Sequence, residues 1–168
     1  MKVLSRANLE AIGARVIRAY AALPGVAGQA LERVDIDYLC HSLLGLQIDY
    51  RHLSKDGVKL GLTSFCQIGV EVLPEEGEAD YGEDKFYMLD GKTLLIESEL
   101  ARDGANIGRR NYTVSHESCH HILKLLFPRD YGAQTMERSV HYCYRSKTSA
   151  RDWEEWQVDT LAGIILLP

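Results

Sequence analysis

The segment that most constrains this chain is residues 116–120, His-Glu-Ser-Cys-His, which form the pattern H-E-x-x-H. It lies in a longer segment, residues 111–127, that is predicted to be helical. On a helix, residues four apart share a face, so His116 and His120 can direct two imidazoles at one point. Glu117 projects from the neighbouring position, where its carboxylate can reach a water molecule on a metal ion. Two neutral nitrogen ligands and one carboxylate base are what a zinc peptidase needs.

The rest of the chain must support this motif, because the pattern is short. Chance alone produces it in about one or two of every hundred chains of such composition. Two conditions therefore apply to a zinc site of this kind. The motif must lie on a helix, and a third protein ligand must follow downstream, leaving one coordination position open.

Length and charge limit the class of protein. A chain of 168 residues is expected to form one domain with a sizeable core. The net charge of −5 argues against direct binding to nucleic acid. No segment is apolar enough to span a membrane and no signal peptide is visible, so we expect a cytoplasmic protein. In that reducing compartment its four cysteines are expected to be free thiols. The apolar residues 161–168 indicate that the natural chain continues or that this end docks into the core.

The N-terminal third is predicted to contain two helices. Apolar residues at helical spacing predict the first over residues 9–23, which Pro24 and Gly25 end. Asp35 is expected to N-cap a second helix that stops at Gly45.

After these helices the apolar period changes from helical spacing to two, which predicts strands. The strand candidates are residues 46–51, 58–65, 68–72, 86–89 and 93–98. Gly61 is expected at a bulge or a close approach. Residues 75–84 are expected to form a solvated hairpin tip, and Asp90–Gly91 a tight turn. The predicted fold class is α+β, with a small antiparallel sheet packed against the motif helix and flanking helices.

The C-terminal part holds the motif helix and one further helix. Thr113 is a plausible N-cap for the motif helix, and Pro128 is expected to end it. Residues 129–148 are polar and are predicted to be irregular. A capping box at Ser149 is expected to start a final helix that runs to Leu167.

The final helix offers the third ligand. Glu155 and Asp159 are four residues apart and share a face, so Glu155 can bind the metal ion while Asp159 accepts the free ring N–H of a ligand histidine. Glu154 lies about 100° away around the helix and is the weaker alternative. His141 is a rival ligand, or one of several candidate donors to a developing oxyanion. Cys119 lies off the histidine face and is expected to pack in the core.

Two segments resemble one family. Residues 109–123, Arg-Arg-Asn-Tyr-Thr-Val-Ser-His-Glu-Ser-Cys-His-His-Ile-Leu, are similar to the motif helix of the ImmA/IrrE metallopeptidases, whose usual text is R-F-T-x-A-H-E-x-x-H. Residues 155–168 resemble the second family motif, E-x-x-A-N/D-x-F-A-x-x-L-L-M-P, and residues 34–65 are similar to the family's entry into its first sheet. Three departures from the second motif affect packing positions and leave the ligands in place: Val158, Leu161 and Gly163.

The resemblance implies one metallopeptidase domain over residues 1–168, with a zincin-like fold of the gluzincin type. It implies that His116, His120 and Glu155 bind Zn²⁺ and that Glu117 is the catalytic base. Family members cleave helix-turn-helix repressors and so switch on mobile-element or stress genes, which makes such a repressor the expected protein partner. The alternative is a regulatory binding module that holds a repressor or senses a signal without hydrolysis, although a pure scaffold has no need of a glutamate in the motif.

Overall fold

The computed structural model describes residues 3–74, 85–131, 140–145 and 152–168. The elements in chain order are α1 (Arg6–Ala21), α2 (Ile36–Tyr38), a π-helical turn (Leu39–Leu44), β1 (Gln47–Arg51), β2 (Lys59–Ser64), β3 (Gln67–Val72), β4 (Lys85–Asp90), β5 (Thr93–Glu97), a 3₁₀ turn (Ser98–Ala101), α3 (Ile107–Leu126), α4 (Pro128–Tyr131), β6 (Val140–Tyr144) and α5 (Trp153–Leu166). The protein is therefore mixed α+β, as predicted. Within the described ranges, every helix is too short or too polar to cross a lipid bilayer.

The first two helices begin and end where their capping residues stand. Ser5 and Asn8 form a reciprocal capping box at the start of α1. Asp35 caps α2 by accepting hydrogen bonds of 3.1 Å from the backbone N–H groups two and three residues on. Gly45 ends the π-helical turn in the left-handed conformation, with φ of 66°. The predicted Asp35 cap and Gly45 stop are thus confirmed.

The strands form two sheets, and the larger one is mixed. Its order is β1-β5-β2-β6, while β3 and β4 form a separate pair. β5 is parallel to β1 and antiparallel to β2. The prediction of one small antiparallel sheet is therefore wrong. The reason is that β5 is inserted between β1 and β2, and a strand between two antiparallel strands must run parallel to one of them.

β2–β3 and β4–β5 are the two arms of one long antiparallel ribbon. Gly61 faces Ile96 where β2 pairs with β5, and Ile68 faces Leu89 where β3 pairs with β4. The number of residues between these two pairs is the same on both arms, so the pairing register continues unbroken from one sheet to the other. Residues 75–84, predicted as a hairpin tip, join β3 to β4 and lie outside the described residues.

The ribbon bends where it passes from one sheet to the other. Gly91 has φ of 82°, and a Cβ there would lie 3.1 Å from the backbone of Phe65 and Cys66 on the opposite arm. The predicted tight turn at Asp90–Gly91 is wrong, because β4 and β5 pair with other strands and not with each other. Gly91 allows the ribbon to bend and allows the backbones of its two arms to approach closely.

The bend places apolar side chains on both faces of the central strand β5. Leu94 and Ile96 lie in the main core with α1, α3 and α5, and Leu95 lies in a smaller core against β3 and β4. All five residues of β5 are buried, so this strand shows no apolar–polar alternation.

Helix α3 packs on the main-core side and carries the H-E-x-x-H motif. Its N-cap is Asn106, whose side chain accepts a hydrogen bond from the Arg109 N–H at 2.9 Å. Thr113, the predicted cap, lies inside the helix and donates its hydroxyl to the Arg109 carbonyl, so that prediction is wrong. Asn106, which lies about two turns earlier, caps the helix instead with its side-chain amide oxygen. The predicted stop at Pro128 is confirmed by the end of α3 at Leu126.

The region between α3 and the last helix is more regular than predicted. Residues 129–148 contain the end of α4 and the strand β6, which pairs antiparallel with β2 at the edge of the larger sheet. The prediction of irregular structure is wrong for these elements, because the pairing of β6 depends on a strand far away in the chain. The last helix begins at Trp153 after its N-cap Asp152. The capping box predicted at Ser149 lies outside the described residues.

Candidate metal centre

The two motif histidines lie side by side on the buried face of α3. His116 is 2% exposed and His120 is fully buried, and their ring centroids are 5.2 Å apart. One helical turn separates them along the chain, so both rings leave the helix on the side that faces α5.

Helix α5 places a carboxylate against both rings. Glu155 Oε2 lies 3.2 Å from His116 Nε2, and Glu155 Oε1 lies 3.5 Å from His120 Nε2. These two distances bracket the separation of about 3.4 Å between ligand atoms on a tetrahedral zinc ion. The structure thus brings together the three residues that the sequence nominates as ligands, with their ligand atoms within 4.8 Å of one another.

The donor set fits a zinc ion, and the state of the histidine nitrogens supports that fit. Among the described residues, His116 Nε2 and both ring nitrogens of His120 are buried without a hydrogen-bond partner. Such groups cost free energy when they are left unpaired, and a metal ion would satisfy them. Burial, followed by the nearby charges of His141 and His116, lowers the pKa of His120 well below 6.5. The imidazole is therefore neutral, as a metal ligand must be.

Asp159 contacts the second ring nitrogen of His116, Nδ1. Its Oδ1 lies 3.0 Å from His116 Nδ1, and an ionised carboxylate only accepts, so Nδ1 carries a proton. In the neutral ring Nε2 then keeps its lone pair. The hydroxyl of Tyr112 donates to the same Oδ1 at 2.9 Å. Sequence reasoning had placed Asp159 beside a ligand histidine and had missed Tyr112. The available signal was the spacing of Tyr112, four residues before His116 on the same helix.

Glu117 is fully buried beside this cluster. One of its carboxylate oxygens lies within 4.8 Å of a His116 nitrogen. Burial raises the pKa of Glu117 to about 8; the charge of His116 and the backbone N–H of Cys143 act in the opposite direction, and the charge of Glu155 adds to the increase. A buried carboxylate with a raised pKa is a strong base once it is ionised.

A second group of potential ligands adjoins the first. The ring of His141, on β6, stacks on His120 with centroids 4.2 Å apart, and its Nδ1 lies 3.8 Å from Glu154 Oε1. His120, His141 and Glu154 therefore also place ligand atoms within 4.8 Å of one another. The set with Glu155 is the better candidate, since it joins both motif histidines through one carboxylate.

The cysteines near the motif differ in position. Cys119 lies in the main core, and burial raises the pKa of its thiol well above the usual range, which agrees with a packing role. Cys143, on β6, forms a further possible ligand group with His116 and Glu117. That group would occupy Glu117 and leave the site without a free base.

Comparisons of this chain with family models, with curated proteins and with solved structures found no match.

Proposed function

We propose that this chain is a zinc-dependent endopeptidase with a zincin-like fold. The observation that carries this proposal is the position of the Glu155 carboxylate, which lies 3.2 and 3.5 Å from the Nε2 atoms of the two motif histidines. A carboxylate on a helical charge face would point to solvent. This one is turned towards two buried nitrogens that make no hydrogen bond among the described residues.

Each residue of the cluster has a distinct role in peptide hydrolysis. His116, His120 and Glu155 would hold the zinc ion, and Asp159 keeps the proton of His116 on Nδ1. When bound, zinc supplies a Lewis acid that polarises the scissile carbonyl and makes water more acidic. Glu117 accepts the proton of the attacking water at its carboxylate and passes it to the leaving nitrogen. Burial raises the pKa of Glu117 to about 8, and the positive charge of a zinc ion held by the three ligands would favour its ionised form.

The substrate is proposed by resemblance. The motif helix and the second motif are similar to those of the ImmA/IrrE metallopeptidases, which act on helix-turn-helix repressors. We therefore propose a repressor of that class, encoded next to this chain, as the protein that is cleaved. Its removal would switch on mobile-element or stress genes.

The test is Glu117→Gln, which removes the base and keeps nearly the same shape. The purified variant and the wild type are loaded with zinc, their metal content is measured, and each is incubated with the repressor and with unfolded casein. We expect unchanged zinc content and a cleavage rate at least about 100-fold lower, since general-base catalysis contributes on the order of 10²–10⁴.

Glu99→Gln is the matched control, because Glu99 is exposed and pairs only with nearby Arg102 among its described ion pairs. It should cleave like the wild type. Cleavage by Glu117→Gln at the wild-type rate would refute the mechanism. A stable complex with the repressor and no fragments from the zinc-loaded wild type would favour the non-hydrolytic binding module.

A further inference from the structure

Two hydrogen bonds meet on one oxygen at the edge of the candidate metal centre. Asp159 Oδ1 accepts from His116 Nδ1–H at 3.0 Å and from the Tyr112 hydroxyl at 2.9 Å. Tyr112 and His116 are neighbours on one face of α3, and Asp159 reaches them from α5. The three side chains therefore tie the two helices together beside the ligand atoms.

We propose that Tyr112 is a positioning residue of the zinc site, which acts through Asp159 on the orientation of His116. The inference rests on the proposed zinc binding. It assigns a task to a hydroxyl that neither holds the ion nor moves a proton in the proposed reaction.

The physical reason is the freedom of the Asp159 carboxylate. Without the Tyr112 hydroxyl, Oδ1 would lose one of the two hydrogen bonds described for it. The carboxylate could then rotate more freely about its terminal torsion, and the ring could tilt with it. The Tyr112 hydroxyl approaches the same oxygen from a second direction, so Oδ1 has one position that serves both donors. Fixing Oδ1 fixes the His116 ring, and the bare Nε2 is held towards Glu155 Oε2 at 3.2 Å.

The low exposure of Asp159 strengthens its hydrogen bond with Tyr112. Its side chain is only 13% exposed, so water competes weakly for the carboxylate. The Tyr112 residue is 36% exposed, so its ring contributes less to the core than a fully buried tyrosine would. Removing the hydroxyl should therefore affect the site more than the stability of the fold.

The experiment is a double-mutant cycle on zinc affinity, measured on the full chain by competition with a fluorescent zinc chelator. Tyr112→Phe should weaken zinc binding about two- to tenfold, the worth of one net hydrogen bond. Asp159→Ala should weaken it about 10- to 100-fold. The double variant should be no weaker than Asp159→Ala alone, because Tyr112 acts only through that carboxylate.

Tyr87→Phe is the matched control. Its hydroxyl donates to Asp49 at 2.9 Å, the same chemistry at the same distance in another part of the fold. It should bind zinc like the wild type. Melting in excess chelator should lower the Tm of Tyr112→Phe and of Tyr87→Phe by similar amounts, at most about 6 °C, as expected for the loss of one net hydrogen bond from the fold. Asp159→Leu, which has a similar shape and no acceptor oxygen, replaces the alanine variant in the cycle if that variant does not fold.

The outcomes separate this inference from the proposed function. Wild-type zinc affinity in Tyr112→Phe, or an undiminished effect of that change in the Asp159→Ala background, would overturn the positioning role while leaving zinc peptidase activity intact. A wild-type chain that binds no zinc would instead overturn the proposed function.

Discussion

Gly61 determines how closely the sheet approaches Glu117, the proposed catalytic base. A Cβ at this position would lie 2.8 Å from Thr113 Cγ2, 3.0 Å from Glu117 Oε1 and 3.1 Å from Glu117 Cγ. The register of β2 against β6 also shifts between Lys59 and Gly61, so the glycine stands at a bulge beneath α3. The change Gly61→Ala therefore tests the contact between β2 and Glu117 directly.

The magnitude follows from how little the neighbours can move. Optimal carbon–carbon contacts lie at about 3.5–4.0 Å, so the new methyl group overlaps Thr113 Cγ2 by about 0.7 Å or more. Thr113 is 1% exposed and its hydroxyl is bonded to the Arg109 carbonyl, while Glu117 is fully buried. We therefore expect α3 to shift from β2 at a cost of about 1–3 kcal/mol. That loss corresponds to a fall in Tm of about 2–12 °C for a chain of this size.

The assays are urea unfolding, zinc affinity and repressor cleavage. A displacement of Glu117 by a fraction of an ångström to one ångström should reduce cleavage by about 10- to 100-fold. Zinc affinity should also fall, because the shifted helix α3 carries His116 and His120 as well as Glu117. The matched control is Gly163→Ala, in the interior of α5, where a Cβ meets nothing within 4 Å. It should gain about 0.5–1 kcal/mol of stability. Wild-type stability and cleavage in Gly61→Ala would refute the reasoning.

Two further predictions concern the ligand set and the cysteines. Glu155→Gln should weaken zinc binding more than about tenfold, while Glu154→Gln should leave it within about twofold, as measured by chelator competition; the reverse order would assign the ion to the group that contains Glu154. A thiol reagent at pH 8 should label the partly exposed Cys66 in the folded protein and spare Cys40 and Cys119, as judged by mass spectrometry of peptides. Burial raises the pKa of Cys40 to about 12 and raises that of Cys119 too, so the reactive thiolate is scarce at both, and equal labelling of Cys119 and Cys66 would contradict this.

The features that sequence predicted correctly depend on neighbours within a few residues. The Asp35 cap, the Gly45 stop and the end of α3 before Pro128 each follow from the hydrogen-bonding capacity or backbone freedom of one residue. Helical spacing also put Glu155 and Asp159 on one face of the last helix. The expectation that this face meets His116 came from the need of a zinc site for a third ligand.

The features that sequence missed depend on pairings between distant segments. Nothing within β5 indicates that it inserts between β1 and β2, because a strand buried on both faces shows only a continuous apolar run. The stacking of His141 on His120 follows from the pairing of β6 with β2, which local periodicity does not encode. Tyr112 was missed for another reason, since a tyrosine on a helix face is usually interpreted as packing.

Pairing within the bent ribbon closes short loops of chain, whereas pairing of the edge strand β6 with β2 closes a long one. The arms of the ribbon are nested around one connection, so each rung shortens the loop that the next must close. The ribbon and the whole of α3 lie between β2 and β6 in the chain, so the pairing of β6 with β2 closes a much longer loop than any rung of the ribbon. The cluster around His120 draws residues from α3, β6 and α5, and so it is complete only when this long loop has closed. The topology thus couples assembly of the cluster to a long-range strand pairing, so a molecule in which β6 has not paired with β2 lacks the assembled cluster.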